Sequence, residues 1–329
     1  MVQESLFFIR QDYSSRCAPL FLKTHCRSRR LGKMPVARRF SVRFFLLAAA
    51  FLVGVSPVSW VRAEEKPIRL LIVGQKPDGH PPTTHEFMAG AQVLATLLKP
   101  YPQIQTTVVD ATDPWPEGPG LIDGSDAIAM LVSEGARWMQ IDLQRHAALR
   151  RLAARGGAIC ALHWSVGAKE AKYIQGQLEL LGGTRGGEQR KYQKLDVTLH
   201  RPTPSHPIMN GLADFKAYDE FYYSLDKVPG IVPLLTAQID GQDETVAWAW
   251  ERKDGGRSYA FSALHYHSNW QLPEYRRFIL QGVLWSLKQP IPAEGVKVDI
   301  APAALELNGV LPPPAAPDPP KKKKTKSAS

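Results

Sequence analysis

The sequence predicts an α/β fold with a mostly parallel sheet and helices on both faces. Two observations carry this prediction. Short apolar runs alternate with segments of helical periodicity, which is the pattern of parallel strands joined by helices. In addition, an apolar run led by two glycines, residues 156–162, ends abruptly at His163. Such a strand followed by a tight turn places one side chain at the carboxyl edge of the sheet.

The first half of the domain supplies most of the predicted elements. Helical spacing of apolar residues predicts helices over 84–98 and 137–154, and the first ends before Pro100. Continuous apolar runs predict four strands, over residues 68–73, 104–109, 127–132 and 158–162.

The second half is less regular between residues 171 and 240. Two β-rich runs follow, over 245–251 and 257–264, separated by the turn residues 253–256. This pattern predicts a hairpin, so part of the sheet is expected to be antiparallel. A helix over 273–287 closes a domain that we place at residues 64–290.

The N-terminal 63 residues resemble a presequence. Arg38 and Arg39 precede the apolar run 44–53, and Val61 and Ala63 supply small residues for a cleavage site. We expect a secretory signal peptide, a start at Met34, and an exported protein. Because the run is short for a bilayer span, no stable membrane anchor is expected.

Residues 291–329 are rich in proline and end in a lysine cluster, which predicts a disordered tail. The formal net charge is +10. The presequence carries +9 of it and residues 321–329 carry +5, so the remainder is −4. A mildly acidic domain gives no reason to expect a nucleic-acid partner.

Cys160 is the one cysteine after the presequence and lies inside an apolar strand. We expect it in the core, where neither a disulfide nor a cysteine metal cluster is possible. The turn that follows presents an imidazole at His163, not the Ser or Cys that acyl transfer requires. Residues 166–170 resemble the start of a helix. A raised His163 is expected to be partly accessible, so that His163→Ala would cost little stability.

Histidines follow several predicted strands at the same edge of the sheet. His80 and His85 follow the first strand, His163 the fourth, and His265 and His267 the last. Imidazoles that converge in this way suit a divalent transition metal or a proton-transfer site. Because alternate residues of a strand share a face, His265 and His267 can point in the same direction.

Two further segments contain candidate residues. His206 lies in a turn-rich segment, which favours a structural role. Asp219 and Glu220 stand among aromatic residues. They form either a solvated pair at a strand start or a site in which Glu220 is a pocket carboxylate.

Together these segments resemble the ThuA-like (trehalose utilisation) family over about residues 68–288. The resemblance rests on the order of the strand ending in His163, the segments 206–212 and 219–222, and the strand ending at His265. It implies a flavodoxin-like fold similar to class I glutamine amidotransferases, with His163 at the position of their catalytic Cys. It also implies a role in carbohydrate metabolism, including oxidised (keto) sugars. The sequence 264–267 departs from the family's usual Gly-His pair, so both His265 and His267 remain candidates.

The resemblance and the residues together suggest an enzyme acting on a sugar or keto-sugar derivative by hydrolysis, elimination or isomerisation. Its candidate catalytic residues are His163, Glu220 and His265. Aromatic rings can stack on a sugar, and the candidates are Trp164, Tyr222, Tyr266 and Trp270. A divalent metal such as zinc would bind His85, His163, His265 and His267. The alternative is a non-catalytic carbohydrate-binding module. A glutamine amidotransferase is excluded, because it needs a cysteine at position 163.

Overall fold

A seven-stranded sheet is the centre of the computed structural model, which describes residues 66–307. In this range the strands are β1 (Ile68–Gly74), β2 (Ile104–Asp110), β3 (Ala127–Met130), β4 (Ala158–Leu162), β5 (Gly183–Thr184), β6 (Lys191–Leu199), β7 (Phe215–Tyr223), β8 (Asp226–Lys227), β9 (Val232–Ile239), β10 (Gln242–Glu251) and β11 (Arg257–Phe261). The α-helices of the same range are α1 (Phe87–Leu98), α2 (Gly118–Asp123), α3 (Gly135–Ile141), α4 (Leu143–Ala154), α5 (Ile174–Leu181) and α6 (Pro273–Ser286).

The strand order is β2-β1-β3-β4-β11-β10-β9. The first five strands of this order pair in parallel, whereas β10 is antiparallel to both β11 and β9. Both the mostly parallel sheet and the antiparallel hairpin are therefore confirmed. The parallel pairing brings the carboxyl ends of β1, β3, β4 and β11 to one edge.

Helices cover both faces of the sheet because the central strands are apolar on both sides. In β1, Leu70 and Ile72 pack in one core with residues of α1 and α6. Leu71 and Val73 point the other way, into a second core with residues of α3, α4 and α5. Because both faces of β1 are buried, every position of the strand centre is apolar and the sequence shows a continuous apolar run.

Two predicted helices differ from the structure. The helix expected over 137–154 breaks at Asp142, whose side chain accepts hydrogen bonds from the backbone N–H groups of Gln144 and Arg145. Asp142 is therefore the N-cap of α4, which begins at Leu143, and α3 ends at Ile141. The helix expected from residue 166 does not form. A 3-10 turn, His163–Ser165, follows β4, and α5 begins only at Ile174.

The irregular segment contains an antiparallel ribbon. Strands β6 and β7 pair over nine residues and form a separate two-stranded sheet. Most β6 side chains are at least partly exposed, whereas β7 is buried from Asp219 to Tyr223. The polar, partly exposed β6 gave no clear strand pattern in the sequence.

The domain continues beyond residue 290, so the predicted boundary is wrong. Val296, Val298 and Leu305 are buried in the core. Arg276 and Arg277 of α6 donate hydrogen bonds to the carbonyl oxygens of Val298 and Val296. These contacts fix a proline-rich segment that composition alone assigns to a disordered tail.

The predicted signal peptide, the start at Met34 and the lysine-rich end of the tail lie outside the described residues. Within residues 66–307, no helix is long and apolar enough to cross a membrane.

Candidate functional site

Three buried histidines meet at the carboxyl edge of the sheet. His85 ends the loop after β1, His163 follows β4, and His265 lies in the segment after β11. The Nε2 atom of His163 lies 3.0 Å from Nε2 of His85 and 3.2 Å from Nδ1 of His265. The structure thus brings together three of the histidines that the sequence placed at this edge.

His163 lies in the tight turn that the sequence predicts, but the turn is buried. The φ angle of His163 is +50° and that of His85 is +55°, both in the left-handed region that side chains seldom adopt. His163 is only 2% exposed. The expectation of an accessible imidazole is therefore wrong, because the loops after β1 and β11 cover the turn. The small loss of stability expected for His163→Ala assumed an exposed side chain, so that expectation no longer holds.

The hydrogen-bond partners of His163 and His85 determine which ring nitrogen of each carries the hydrogen. Nδ1 of His163 lies 3.0 Å from the carbonyl oxygen of Ser262, and Nδ1 of His85 lies 2.9 Å from Oδ2 of Asp78. Both neighbours are acceptors, so each Nδ1 carries the hydrogen of a neutral ring. The two Nε2 atoms then direct lone pairs toward each other across 3.0 Å.

The three imidazoles are neutral at physiological pH. Burial lowers the pKa of His163 well below its usual value, and the neighbouring His85 and His265 lower it further. Burial also lowers the pKa of His265 to about 2. For His85, the lowering of the pKa by burial outweighs the opposing effect of Asp78. Neutral imidazole is the form that binds a transition metal.

The geometry fits a metal ion. One nitrogen from each of His85, His163 and His265 lies within 4.8 Å of the other two. Two imidazole nitrogens on a tetrahedral zinc ion are about 3.3 Å apart, from a Zn–N distance near 2.05 Å. The hydrogen bond from His85 to Asp78 is the carboxylate partner that commonly orients a zinc ligand. The cluster could therefore hold a divalent cation.

His267 lies outside this group of three. Its Nε2 lies 3.0 Å from the carbonyl oxygen of Leu305, and its backbone N–H donates to the carbonyl of Thr83. The reason is local: the extended backbone ends at Tyr266, and His267 starts a 3-10 turn. The rule that alternate residues of a strand share a face does not apply beyond Tyr266. Of the two candidates, His265 therefore belongs to the cluster and His267 does not.

Asp219 and Glu220 are both buried, which excludes the solvated pair. Asp219 accepts hydrogen bonds from the backbone N–H groups of Leu264 and His265 and from the hydroxyl of Tyr275. It thus fixes the segment that carries His265. Burial raises the pKa of Asp219 to about 6, and its backbone donors oppose that rise.

Glu220 faces the cluster. Its Oε1 lies 3.9 Å from Nδ1 of His265. Burial raises the pKa of Glu220 to about 7, against the opposing charges of Lys194 and Arg185. A carboxyl group with such a pKa can accept and return a proton near neutral pH.

Three of the four aromatic candidates lie at the site. Tyr222 is fully buried, with its ring against His163 and Arg185, so it has no exposed surface for the predicted stacking on a sugar. Its hydroxyl lies 3.2 Å from Nε2 of His163. Trp164 is half-buried and presents its ring edge to His85 at 5.2 Å. Tyr266 packs edge-on against His265, with ring centroids 4.7 Å apart, and stacks on Tyr218.

Trp270 is a core residue. It is 1% exposed and packs against Gly90 of α1. With His85 and His163 it borders a cavity of about 20 Å³, which is room for a single water molecule. Trp270 therefore has no exposed surface for stacking on a sugar, and its predicted role in substrate binding has no support in the structure.

Two residues beside the cluster were not predicted from the sequence, and a third makes more contacts there than expected. Asp78 orients His85, and Arg185 packs over Tyr222. His80, which the sequence placed at the edge, packs against His85 with ring centroids 3.7 Å apart and also contacts Asp78. The Asp78-Gly79-His80 order in a proline-flanked loop was the available signal for Asp78, whereas nothing near Arg185 marks it.

Comparison with known proteins identifies the family of the chain. The family model described as "ThuA: Trehalose utilisation" matches residues 71–286, which is more than half of the chain. The chain belongs to the ThuA family. No curated protein matches its sequence.

One solved structure supports the fold of this ThuA protein. The chain is similar to a putative ThuA-like protein from Bacteroides uniformis, at 15% identity and a TM-score of 0.53, over 69% of this chain and 94% of that one. It also matches a cytoplasmic protein from Salmonella typhimurium, at 14% identity and a TM-score of 0.43, over 68% and 99% of the two chains. A glutamine amidotransferase from Thermotoga maritima matches at 6% identity and a TM-score of 0.36, over 60% and 75%.

Membership of the ThuA family places this protein in carbohydrate utilisation at a coarse level. The flavodoxin-like class predicted from the sequence is confirmed.

Proposed function

We propose that this ThuA protein is an enzyme that acts on a sugar or keto-sugar derivative, with a divalent metal such as zinc held by His85, His163 and His265. One observation carries the proposal. Two neutral imidazoles direct lone pairs at each other across 3.0 Å in a buried site. That contact is repulsive in the free protein, and a cation between the rings would make it favourable.

When bound, a divalent metal supplies a Lewis acid that polarises a carbonyl or hydroxyl oxygen. The remaining chemistry belongs to this chain's residues. Glu220 accepts a proton at Oε1 from a carbon or hydroxyl next to the sugar carbonyl. Burial raises the pKa of Tyr222 well above its usual value, so its hydroxyl stays protonated and acts as a hydrogen-bond donor. Trp164 and Tyr266 offer apolar ring surface to the sugar.

The test measures metal content and activity in the full chain. Purified protein is expected to hold about one zinc or similar ion per chain, and His85→Ala is expected to lose it. His206→Asn is the matched control, because His206 lies outside the site and caps a 3-10 turn. Turnover of 3-keto-glucosides should fall by about a hundredfold or more in Glu220→Gln, which keeps the size of the side chain. A protein that binds no divalent metal at micromolar concentration would exclude the proposed site.

A carbohydrate-binding module is the second candidate. It is favoured by a groove of about 180 Å³ lined by the stacked pair Tyr218 and Tyr266, together with Lys216 and Asp196. A binding module would retain sugar affinity in His163→Ala and show no turnover. An enzyme would lose turnover in the same variant.

We also propose that the protein is exported, on the basis of the basic and apolar order of residues 38–63. N-terminal sequencing from the native host should find a chain that starts near Glu64. A cytoplasmic product that keeps residues 34–63 would contradict export.

A further inference from the structure

Arg185 is a buried cation without a carboxylate partner. It is 5% exposed. Two other buried arginines, Arg145 and Arg252, form ion pairs with aspartates, and Arg276 donates to two backbone carbonyls. Within residues 66–307, Arg185 forms no ion pair, and its one hydrogen bond runs from Nε to the carbonyl of Lys191 at 3.3 Å.

The backbone fixes Arg185 against the loop that follows His163. The N–H of Ala168 donates to the carbonyl of Arg185, and the N–H of Arg185 donates to the carbonyl of Val166. Between them, Gly167 has a φ of +135°, and a Cβ atom there would lie 1.8 Å from the Arg185 oxygen. Only glycine permits this close approach. The turn that carries His163 and the start of the Arg185 side chain are therefore held together.

The guanidinium packs on aromatic rings and not on an anion. Its Cζ lies 4.2 Å from the ring centroid of Tyr222, 5.2 Å from that of Tyr192 and 5.8 Å from that of Trp164. In the described part of the chain, neither terminal nitrogen has a hydrogen-bond acceptor. A desolvated cation without an anion is costly, and stacking on rings offsets only part of that cost.

Glu220, the carboxylate whose charge acts on Arg185, is shared with Lys194. Glu220 is directly opposite Lys194 in the β6–β7 pairing. Its carboxylate is therefore offset by a lysine on the adjacent strand. Lys194 also lies 5.7 Å from the ring of Tyr266. Arg185 therefore has no carboxylate of its own within hydrogen-bond distance in the described part of the chain.

We propose that Arg185 binds the carboxylate of an acidic sugar derivative, such as an aldonate or uronate, whose sugar portion faces the histidine cluster. This inference rests on the proposed function and names its substrate class. Tyr222 contacts both Arg185 and the histidine cluster, because its ring packs against the guanidinium and its hydroxyl lies 3.2 Å from His163 Nε2. The two terminal nitrogens of the guanidinium match the two oxygens of a carboxylate.

Binding to the full chain provides the test. Titration calorimetry would compare D-glucuronate and D-gluconate with D-glucose, glucuronamide and glucose 6-phosphate, using protein loaded with zinc. We expect the two acids to bind and the neutral sugar and amide to bind about 10- to 100-fold more weakly, the loss for a charged hydrogen-bonded pair. Arg185→Lys keeps the charge but loses the planar pair of donors, so affinity for the acids should fall by a similar factor. Arg150→Gln, at an exposed arginine of α4, should leave affinity unchanged.

Three results would overturn the inference: equal binding of glucuronate and glucuronamide, unchanged affinity in Arg185→Lys, or tighter binding of the sugar phosphate than of either acid. The comparison of ligands uses the native protein, so its result does not depend on whether Arg185→Lys folds. Metal content is measured on the same samples. A protein that holds metal and turns over neutral keto-sugars but ignores the acids would refute the role of Arg185 and leave the proposed function intact.

Discussion

The carboxylate of Asp219 is expected to be a principal determinant of the position of His265, and Asp219→Asn tests this. Oδ1 of Asp219 accepts the N–H groups of Glu220 and His265, while Oδ2 accepts the N–H of Leu264 and the hydroxyl of Tyr275. The substitution keeps the shape of the side chain but replaces one oxygen by an amide nitrogen. In either orientation that nitrogen faces at least one backbone donor.

The smaller loss arises when the amide nitrogen takes the Oδ2 position. Tyr275 can then rotate its hydroxyl and accept a hydrogen bond, but the buried N–H of Leu264 has no acceptor. Such an orphaned group costs about 1–3 kcal/mol. Leu264 has a φ of +87°, a strained conformation that persists only where the surroundings impose it. We therefore expect a loss of about 2 kcal/mol in unfolding free energy, or roughly 4–8 °C in melting temperature for a domain of this size.

Urea unfolding of wild type, Asp219→Asn and Tyr275→Phe at pH 7.5 would measure this. Tyr275→Phe removes a donor to the same carboxylate and orphans no backbone group, so it should cost about 1 kcal/mol or less. Zinc affinity should fall in Asp219→Asn, because the segment that carries His265 relaxes. If Asp219→Asn stays within about 0.5 kcal/mol of wild type, or loses no more than Tyr275→Phe, the positioning role is refuted.

Three other predictions concern Asp78 beside the site, the half-buried His206 and the core residue Cys160. Asp78→Asn should weaken zinc binding by about 10- to 100-fold, as for other carboxylates that orient a ligating histidine, and competition with a chelator would measure it. Burial lowers the pKa of His206 to about 4, so its contribution to stability is complete above pH 6.5 and is lost as the pH falls toward 4. His206→Asn keeps an acceptor for the Ile208 N–H but cannot titrate, so the loss of melting temperature between pH 7.5 and pH 5 should be smaller than in wild type; equal losses would contradict this. Cys160→Ser should destabilise the domain by about 1–3 kcal/mol by burying a hydroxyl, with metal content per folded molecule unchanged; loss of metal from folded Cys160→Ser would contradict it.

The sequence by itself determined the sheet and the convergence of histidines. The apolar strands before His85, His163 and His265 are visible as continuous runs because both faces of the sheet are covered. Parallel strands then bring their carboxyl ends to one edge, which follows from topology alone. Local pattern also placed Cys160 in the core.

Only the tertiary structure decided which groups contact the three rings. Asp78 and Arg185 reach the cluster through loops, and Asp219 reaches it from a ribbon that the sequence did not resolve. The choice of His265 over His267 depends on where an extended segment turns into a 3-10 turn, and the burial of Trp270 depends on the packing of α1. Such contacts join residues far apart in the chain, so no local periodicity encodes them.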